Sequence, residues 1–255
     1  MLTLWTVVII AASVFAAVGL LLILRHRWSP AKRREANDAT AFYITVAGTI
    51  YAVILAFMLT SVWEDFQDAR INAEQEANAL VNVFRLAVAL PDSQRSEIQE
   101  AARAYAQVTI AEEWSAMTRE EVSPRGAEGV ERLWRAATQI EVSRPSEQAV
   151  LQQVLAELAK MTEHRRIRQL QSQFRLPGIL WLVLIFGGVV TVANSCLIGV
   201  EDARLHVLYI VSLTCLVALV LVGIAQIDRP FHGTVRVAPE SFEMALATFD
   251  GADGK

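Results

Sequence analysis

The hydrophobic residues of this chain are concentrated in four long runs. Residues 4–24, 41–63, 178–200 and 206–227 contain no Asp, Glu, Lys or Arg. Each run is close to the roughly 20 residues that an α-helix needs to cross about 30 Å of hydrocarbon. No basic residue precedes the first run, so we expect it to be an uncleaved membrane helix rather than a signal peptide. The pattern predicts a polytopic membrane protein with four transmembrane helices.

The polar segment between the second and third runs has helical periodicity throughout. Apolar residues continue beyond Trp63 at spacings of three and four, through Leu80 and Phe84, until Pro91. The second helix is therefore expected to project well beyond the bilayer. Three more apolar stripes follow: Ile98, Ala101, Tyr105 and Val108; Val130, Leu133, Trp134, Ala137 and Ile140; Val150, Val154, Leu158 and Met161. Because each stripe needs a partner, they predict an antiparallel helical bundle outside the membrane.

The predicted fold class is therefore all-α, with four segments in chain order. Residues 1–63 hold the first and second transmembrane helices, and 64–177 the extramembrane bundle between the second and third. Residues 178–227 hold the third and fourth transmembrane helices, and 228–255 form a C-terminal tail. In this tail a short amphipathic helix is expected after Pro239, bearing Phe242, Leu246 and Phe249, with disorder from residue 250 onwards.

Composition narrows the function classes. Of the 255 residues, 54% are hydrophobic and the net charge is −4, which argues against a secreted disulfide scaffold, a soluble enzyme or a nucleic-acid binder. The four histidines are scattered without Cys or Glu at ligand spacing, so no metal site is expected. Phosphate-binding glycine loops and nucleophile-elbow serines are absent from the sequence, so we expect neither an enzyme nor a cofactor.

Two groups of basic residues bear on orientation. The short loop at 25–40 carries Arg25, Arg27, Lys32, Arg33 and Arg34. Because short cytoplasmic loops collect Lys and Arg, this loop is expected inside, which puts the N-terminus and the bundle outside. Near the third membrane helix, the long segment carries the opposing group: Lys160, Arg165, Arg166, Arg168 and Arg175. Basic residues in long loops have less influence on topology, so the first group takes precedence.

The second membrane helix has two faces of interest. Small residues at every fourth position allow close approach of membrane helices, and the helix-packing candidates are Gly48, Ala52, Ala56 and Thr60. Bulkier residues lie beside them, and the pore-lining candidates are Ile50, Ile54, Phe57 and Ser61. In an oligomer this second face could line an apolar constriction that gates by dewetting. The alternative is that these side chains contact lipid or neighbouring helices.

Charged residues at two membrane exits are candidates for a pore mouth. Glu64 and Asp65 follow the second run, where copies around an axis would attract cations, unless they form only a solvated helix face. Asp228 and Arg229 follow the fourth run. They are interpreted either as an ion pair that fixes the end of the helix or as a group in which Arg229 concentrates anions.

Several segments of the sequence resemble the bestrophin-like domain family of bacterial integral membrane proteins. These are residues 48–57, 62–64, 76–80 and 228–233, and the resemblance extends over roughly residues 41–246. It implies an oligomer, a pentamer by analogy with the chloride-conducting bestrophins, that passes inorganic anions through the lipid bilayer of the bacterial inner membrane. The second helix would line the pore.

The resemblance leaves two points open. In bestrophins the helical region between the second and third membrane helices is cytosolic, which is opposite to the orientation predicted by the basic first loop. A shared layout of helices also does not establish conduction, because function belongs to sites rather than folds. The alternative function is a non-conducting membrane scaffold or sensor whose helical bundle binds a partner.

Overall fold

The computed structural model describes residues 4–142 and 144–253. Within this part of the chain the structure contains ten α-helices and no strand. The helices are α1 Leu4–Arg27, α2 Pro30–Arg34, α3 Asn37–Leu86, α4 Asp92–Val108, α5 Trp114–Met117, α6 Pro124–Thr138, α7 Pro145–Gln171, α8 Gly178–Ser195, α9 Ala203–Ile227 and α10 Glu240–Asp253. Four of them, α1, α3, α8 and α9, are long and apolar enough to cross a membrane. The all-helical prediction with four apolar helices is confirmed.

Helix α3 runs without a break from the second hydrophobic run into the polar segment. It has 50 residues, or about 75 Å at 1.5 Å per residue. A single 3₁₀ turn at Ala87–Ala89 ends it before Pro91, where a proline disfavours helical backbone in the preceding residue. The continuous helix predicted from the sequence is therefore present, and it is longer than a bilayer is thick.

The described chain forms two compact units. One, the membrane unit, comprises the residues up to Glu64 together with Arg175–Asp228; the other, the extramembrane unit, comprises Asp65–Phe174 and the residues from Arg229 onwards. The C-terminal segment therefore packs as part of the extramembrane unit.

The membrane unit is held together by two apolar clusters. The first joins α1, α8 and α9 through Ala17, Leu21, Val192, Cys196 and Ile210. The second joins α3 to α8 and α9 through Val62, Leu184 and Ile224. These contacts use only a minor part of the apolar surface, which suits helices whose remaining faces meet lipid or other chains.

A close contact between α3 and α8 depends on glycine. The hydroxyl of Tyr51 donates a hydrogen bond to the carbonyl oxygen of Leu184 over 2.9 Å. A Cβ atom on Gly187 would lie 2.5 Å from Cδ2 of this tyrosine, and one on Gly188 would lie 2.9 Å from its hydroxyl oxygen. Only residues without a side chain let Tyr51 reach the backbone of α8.

The apolar stripes predicted from the sequence form the core of the extramembrane unit. Buried members include Ala77, Leu80, Phe84, Ile98, Ala101, Tyr105, Val130, Leu133, Val154, Leu158 and Met161. Because residues three and four apart share one face of a helix, a spacing visible in the sequence is enough to select these positions.

The C-terminal helix α10 is a core element of the same unit. Phe242 and Phe249 are fully buried, and Phe249 stacks on Phe84 with ring centroids 4.2 Å apart. The amphipathic helix is thus observed, but the prediction of disorder is wrong for residues 250–253, because α10 continues to Asp253. Positions 254 and 255 lie outside the described residues.

Candidate functional site

One face of α3 within the membrane unit is apolar and exposed. Its side chains are Val46, Ile50, Val53 and Phe57, with exposed fractions of 45%, 58%, 48% and 68%. Tyr51 is buried against α8 on the other side of the helix. The exposed residues follow one another at spacings of three and four, so they form a continuous line along the helix. This line is called the α3 apolar face below.

The four pore-lining candidates do not all lie on this face. Ile50, Phe57 and Ser61 are exposed, but Ile54 is partly buried against the cluster of Val62, Leu184 and Ile224. Val53 occupies the position between Ile50 and Phe57 that the sequence reasoning gave to Ile54. In a helix that is apolar on all sides, no polar residue indicates which side packs against its own chain. The sequence therefore did not determine the rotation of α3 about its axis.

The helix-packing candidates also face away from the rest of the chain. Ala52, Ala56 and Thr60 are exposed, and a Cβ atom on Gly48 would meet no atom within 4 Å. The close approach inside this chain is made by Gly187 and Gly188 instead. The small residues of α3 are therefore available to a neighbouring chain or to lipid.

The charged candidates have separate environments. Glu64 and Asp65 are exposed on α3. Asp228 accepts a hydrogen bond from the backbone N–H of Leu176 over 2.7 Å, and Arg229 forms an ion pair with Glu120 at 3.4 Å. The expected ion pair of Asp228 and Arg229 is therefore replaced by two separate contacts: Asp228 holds the segment before α8, and Arg229 holds the turn after α5.

The extramembrane unit contains a buried ion cluster that the sequence reasoning missed. Its members are Glu76 on α3, Glu113 before α5, and Arg165 and Arg168 on α7. Arg168, which is fully buried, lies 2.6 Å from Glu76 and 2.9 Å from Glu113. Arg165 lies 2.6 Å from Glu113. Two positive and two negative groups thus neutralise each other, with three of them buried and Arg165 11% exposed.

Neutral groups complete the buried ion cluster. The hydroxyl of Tyr105 donates to Glu76 over 2.5 Å, and the side-chain amide of Gln169 donates to Glu113 over 2.9 Å. The guanidinium carbon of Arg168 lies 4.9 Å from the centre of the Trp114 ring. Ion pairs, hydrogen bonds and a cation–π contact together offset the cost of removing these charges from water.

Burial and charge act in opposite directions on the cluster. Burial alone would raise the pKa of the Glu113 carboxyl, but Arg168 and then Arg165 outweigh it, so the pKa lies below the usual glutamate value. Burial, followed by the charge of Glu76, raises the pKa of Tyr105 well above that of a free tyrosine. Glu113 is therefore an anion near neutral pH, while Tyr105 remains a hydrogen-bond donor.

Local backbone features place Glu113 in the cluster. The helix takes a π-helical turn over Thr109–Glu113, a rare geometry that shifts the side chains after it around the axis. From α6, Gly126 faces the carboxylate: a Cβ atom there would lie 2.5 Å from a Glu113 oxygen and 3.0 Å from Arg165. A glycine at this position leaves the room that the carboxylate and its guanidinium partner need.

A sequence model of the bestrophin-like domain matches residues 5–242. The chain belongs to the bestrophin-like domain family. No curated protein matches it. The resemblance noted in the sequence is thus confirmed, and the chain is a multi-pass membrane protein with the helical architecture of that family.

Solved structures with the same fold as this bestrophin-like chain include bacterial bestrophin homologues. A bacterial bestrophin homologue from Klebsiella pneumoniae, solved with zinc phasing, has 13% identity and a TM-score of 0.73, covering 95% of this chain and 98% of that one. A point variant of the homologue gives 12% identity, a TM-score of 0.72, and coverage of 96% and 99%. A variant described as a membrane protein has 11% identity and a TM-score of 0.74, covering 96% of this chain and 99% of that one. These likenesses establish the fold.

The sequence of this bestrophin-like chain does contain a signal for the buried ion cluster. On α7, Arg165 and Arg168 continue the apolar stripe of Leu158 and Met161 at spacings of four and three. On α3, Glu76 lies among the buried stripe residues in the same way. Charged residues at core positions of an amphipathic helix indicate a buried pair, since an isolated charge would be too costly there.

We expect acid to destabilise the extramembrane unit through Glu113. The folded pKa of this carboxyl is lowered, so the unfolded chain binds the proton more readily, and stability rises with pH in this interval. The contribution is complete above the unfolded pKa of about 4.3 and is lost as the pH falls through the lower folded pKa. Thermal unfolding followed from pH 7 to 3 should show a falling Tm.

The variant Glu113→Gln should have a lower Tm at pH 7, and its Tm should depend less steeply on pH. An equally steep profile in this variant would contradict the assignment.

Proposed function

We propose that the protein is an oligomeric anion channel of the bacterial inner membrane, with the α3 apolar face lining the conduction path. The observation that carries the proposal is the exposure of Ile50, Val53 and Phe57 in a line on the helix. Membership of the bestrophin-like family and the fold shared with bacterial bestrophin homologues support it.

The lining residues fit a hydrophobic gate. If copies of α3 surround an axis, Phe57 and Ile50 form successive apolar rings about two helical turns apart. A narrow apolar segment excludes water and ions until it widens, and this is how hydrophobic constrictions gate pores. Ser61 lies one turn beyond Phe57 and adds a hydroxyl near the exit. In this arrangement Ile54 supports the ring from within the chain, since it packs on the second apolar cluster.

The small residues of α3 fit the contact between copies. Gly48, Ala52, Ala56 and Thr60 face away from their own chain, and small residues at this spacing allow membrane helices to approach closely. A homo-oligomer, pentameric by analogy with bestrophins, places this stripe against the next copy. Glu64 and Asp65 then lie around one mouth of the path, where their negative charge opposes the entry of anions. In the proposed orientation the N-terminus and the extramembrane unit lie outside the cytoplasm, which the basic loop at 25–40 favours.

We expect Phe57→Ala to raise chloride flux through liposomes that contain the purified protein. Removing the ring widens the apolar constriction, and a barrier lower by about 1.4 kcal/mol gives about tenfold faster passage. Chloride and potassium efflux are measured separately in the wild type and the variant. The control is Phe15→Ala on α1, because Phe15 is even more exposed than Phe57 but lies on another helix.

Two outcomes would contradict the channel proposal. If chloride flux is the same in Phe57→Ala and in the wild type while the oligomer stays intact, the constriction does not lie at Phe57 on α3. No chloride flux from intact oligomers of either protein would favour the alternative function, a scaffold or sensor whose extramembrane unit binds a partner.

A further inference from the structure

The membrane unit contains a buried cation whose hydrogen-bonding capacity is only partly used. Arg33, on α2, is 5% exposed. Its Nη1 donates to the carbonyl oxygen of Cys196, at the end of α8, over 3.0 Å. Its Nε and Nη2 are buried without a hydrogen-bond partner. Buried donors are nearly always paired, so two free ones on the same guanidinium indicate a missing acceptor.

A second guanidinium lies close to Arg33. Arg25, at the end of α1, donates to the carbonyl oxygens of Val200 and Glu201, each over 3.1 Å. Burial, and then the charge of Arg25, lower the pKa of Arg33. Among the described residues no carboxylate is paired with either group, and the ion pair nearby joins Arg34 to Glu201. Two neighbouring cations that contact only neutral groups form a favourable place for an anion.

An apolar cavity lies in the same unit, among α1, α8 and α9. Its volume is about 550 Å³, and its lining includes Ser13, Ala16, Ala17, Leu20, Val192 and Ala193. Ala17 and Val192 pack in one cluster with Cys196, whose carbonyl oxygen accepts the hydrogen bond from Arg33. One helical turn separates Val192, at the end of the cavity, from Cys196, so the cavity ends about 5 Å along α8 from the carbonyl group that Arg33 contacts.

We propose that a phospholipid occupies this place, with an acyl chain in the cavity and its phosphate at Arg33 and Arg25. A phospholipid has both chemical parts that the site lacks: hydrocarbon for the small apolar lining and an anion with several acceptor oxygens for the guanidinium donors. A helix from a second copy would fill the cavity without neutralising the cations. A free anion would neutralise the cations but leave the cavity empty. Because Nε and Nη2 are buried, binding of the phosphate requires the guanidinium end of Arg33 to turn, while the backbone of α2 stays in place.

The test measures lipid binding on the full-length, delipidated protein by native mass spectrometry, with phosphatidylglycerol added back. Arg33→Gln and Ala16→Phe should each weaken binding about tenfold or more, since one removes charged donors and the other fills the cavity. Lys32→Gln is the control for charge, because Lys32 is exposed on the same helix. Ala12→Phe is the control for bulk, since Ala12 is exposed on α1 and is not among the residues that line the cavity. Both controls should bind lipid as the wild type does.

Two further arms distinguish the occupants. Diacylglycerol, which lacks the phosphate, should bind about tenfold more weakly than phosphatidylglycerol, and inorganic phosphate should not displace the lipid. Displacement by inorganic phosphate would overturn the proposal in favour of a free-anion site. Equal binding by all variants would also overturn it, as would a change of oligomer mass in Ala16→Phe with unchanged lipid binding. Ala16→Phe leaves Arg33 unchanged, so lipid binding by this variant still tests the proposal if Arg33→Gln folds poorly. No outcome depends on whether the protein conducts ions.

Discussion

Arg168→Met is expected to lower the stability of the extramembrane unit by about 3–5 kcal/mol, because it leaves the buried Glu76 carboxylate without its cation. Methionine replaces the aliphatic part of the arginine side chain, so the variant loses mainly the guanidinium group with its charge and its hydrogen bonds. A loss of this size corresponds to a fall in Tm of about 10 °C or more. Trp114 lies 4.9 Å from this guanidinium, so its fluorescence can report the unfolding.

The control for this experiment is Arg166→Met. Arg166 lies on the same helix two residues away but is exposed, so its loss is expected to change Tm by less than about 2 °C. Glu76→Leu combined with Arg168→Met should recover part of the stability, since removing both members of a buried pair costs less than removing one. If Arg168→Met unfolds at the same temperature as Arg166→Met, the buried ion cluster does not stabilise the unit.

Gly187→Leu is expected to disrupt the contact between α3 and α8. Its Cβ atom alone would lie 2.5 Å from the ring of Tyr51, so the ring must move and lose its hydrogen bond to Leu184. Overpacking of this kind costs about 1–3 kcal/mol or more. The expected result is a lower unfolding temperature in detergent and faster proteolysis of the purified protein.

Gly48→Leu provides the matched comparison, because the same substitution is made where the chain itself has no neighbouring atoms. The chain should stay folded, and its Tm should match the wild type when both are monomeric. If Gly48 packs between copies, native mass spectrometry should show a shift from oligomer to monomer. An intact oligomer in Gly48→Leu would contradict the proposed contact, while wild-type stability in Gly187→Leu would contradict the packing around Tyr51.

The architecture could be predicted largely because it depends on local patterns. Charge-free runs of adequate length indicate membrane helices, and the spacing of Leu80, Leu133 and Leu158 identified faces that the structure buries. The C-terminal helix shows where this approach ends. Phe242 and Phe249 indicated an amphipathic helix, but the contact of Phe249 with Phe84 joins residues far apart in sequence. That contact holds α10 in the core of the unit, and no local pattern predicts it.

The candidate site was predicted less completely. Ile50 and Phe57 lie on the exposed face of α3, but the packing of Tyr51 against α8 fixes the rotation of the helix and puts Val53 on that face and Ile54 inside. The buried ion cluster was missed because its arginines were interpreted as surface charges of a long loop. The net charge of the chain is a sum over all residues, so it does not show that Arg168 and Glu76 lie together and neutralise each other.

The sequence by itself determined the membrane class, the helical content, the length of α3 and the family, because these follow from composition and periodicity along one segment at a time. Only the tertiary structure decided which side of α3 stays exposed, which glycines admit a neighbouring ring, and which charges are buried as partners. Those properties depend on contacts between segments such as Glu76 and Arg168, which lie 92 positions apart. Such contacts form because burying a charge or an apolar face is favourable only against a matching partner.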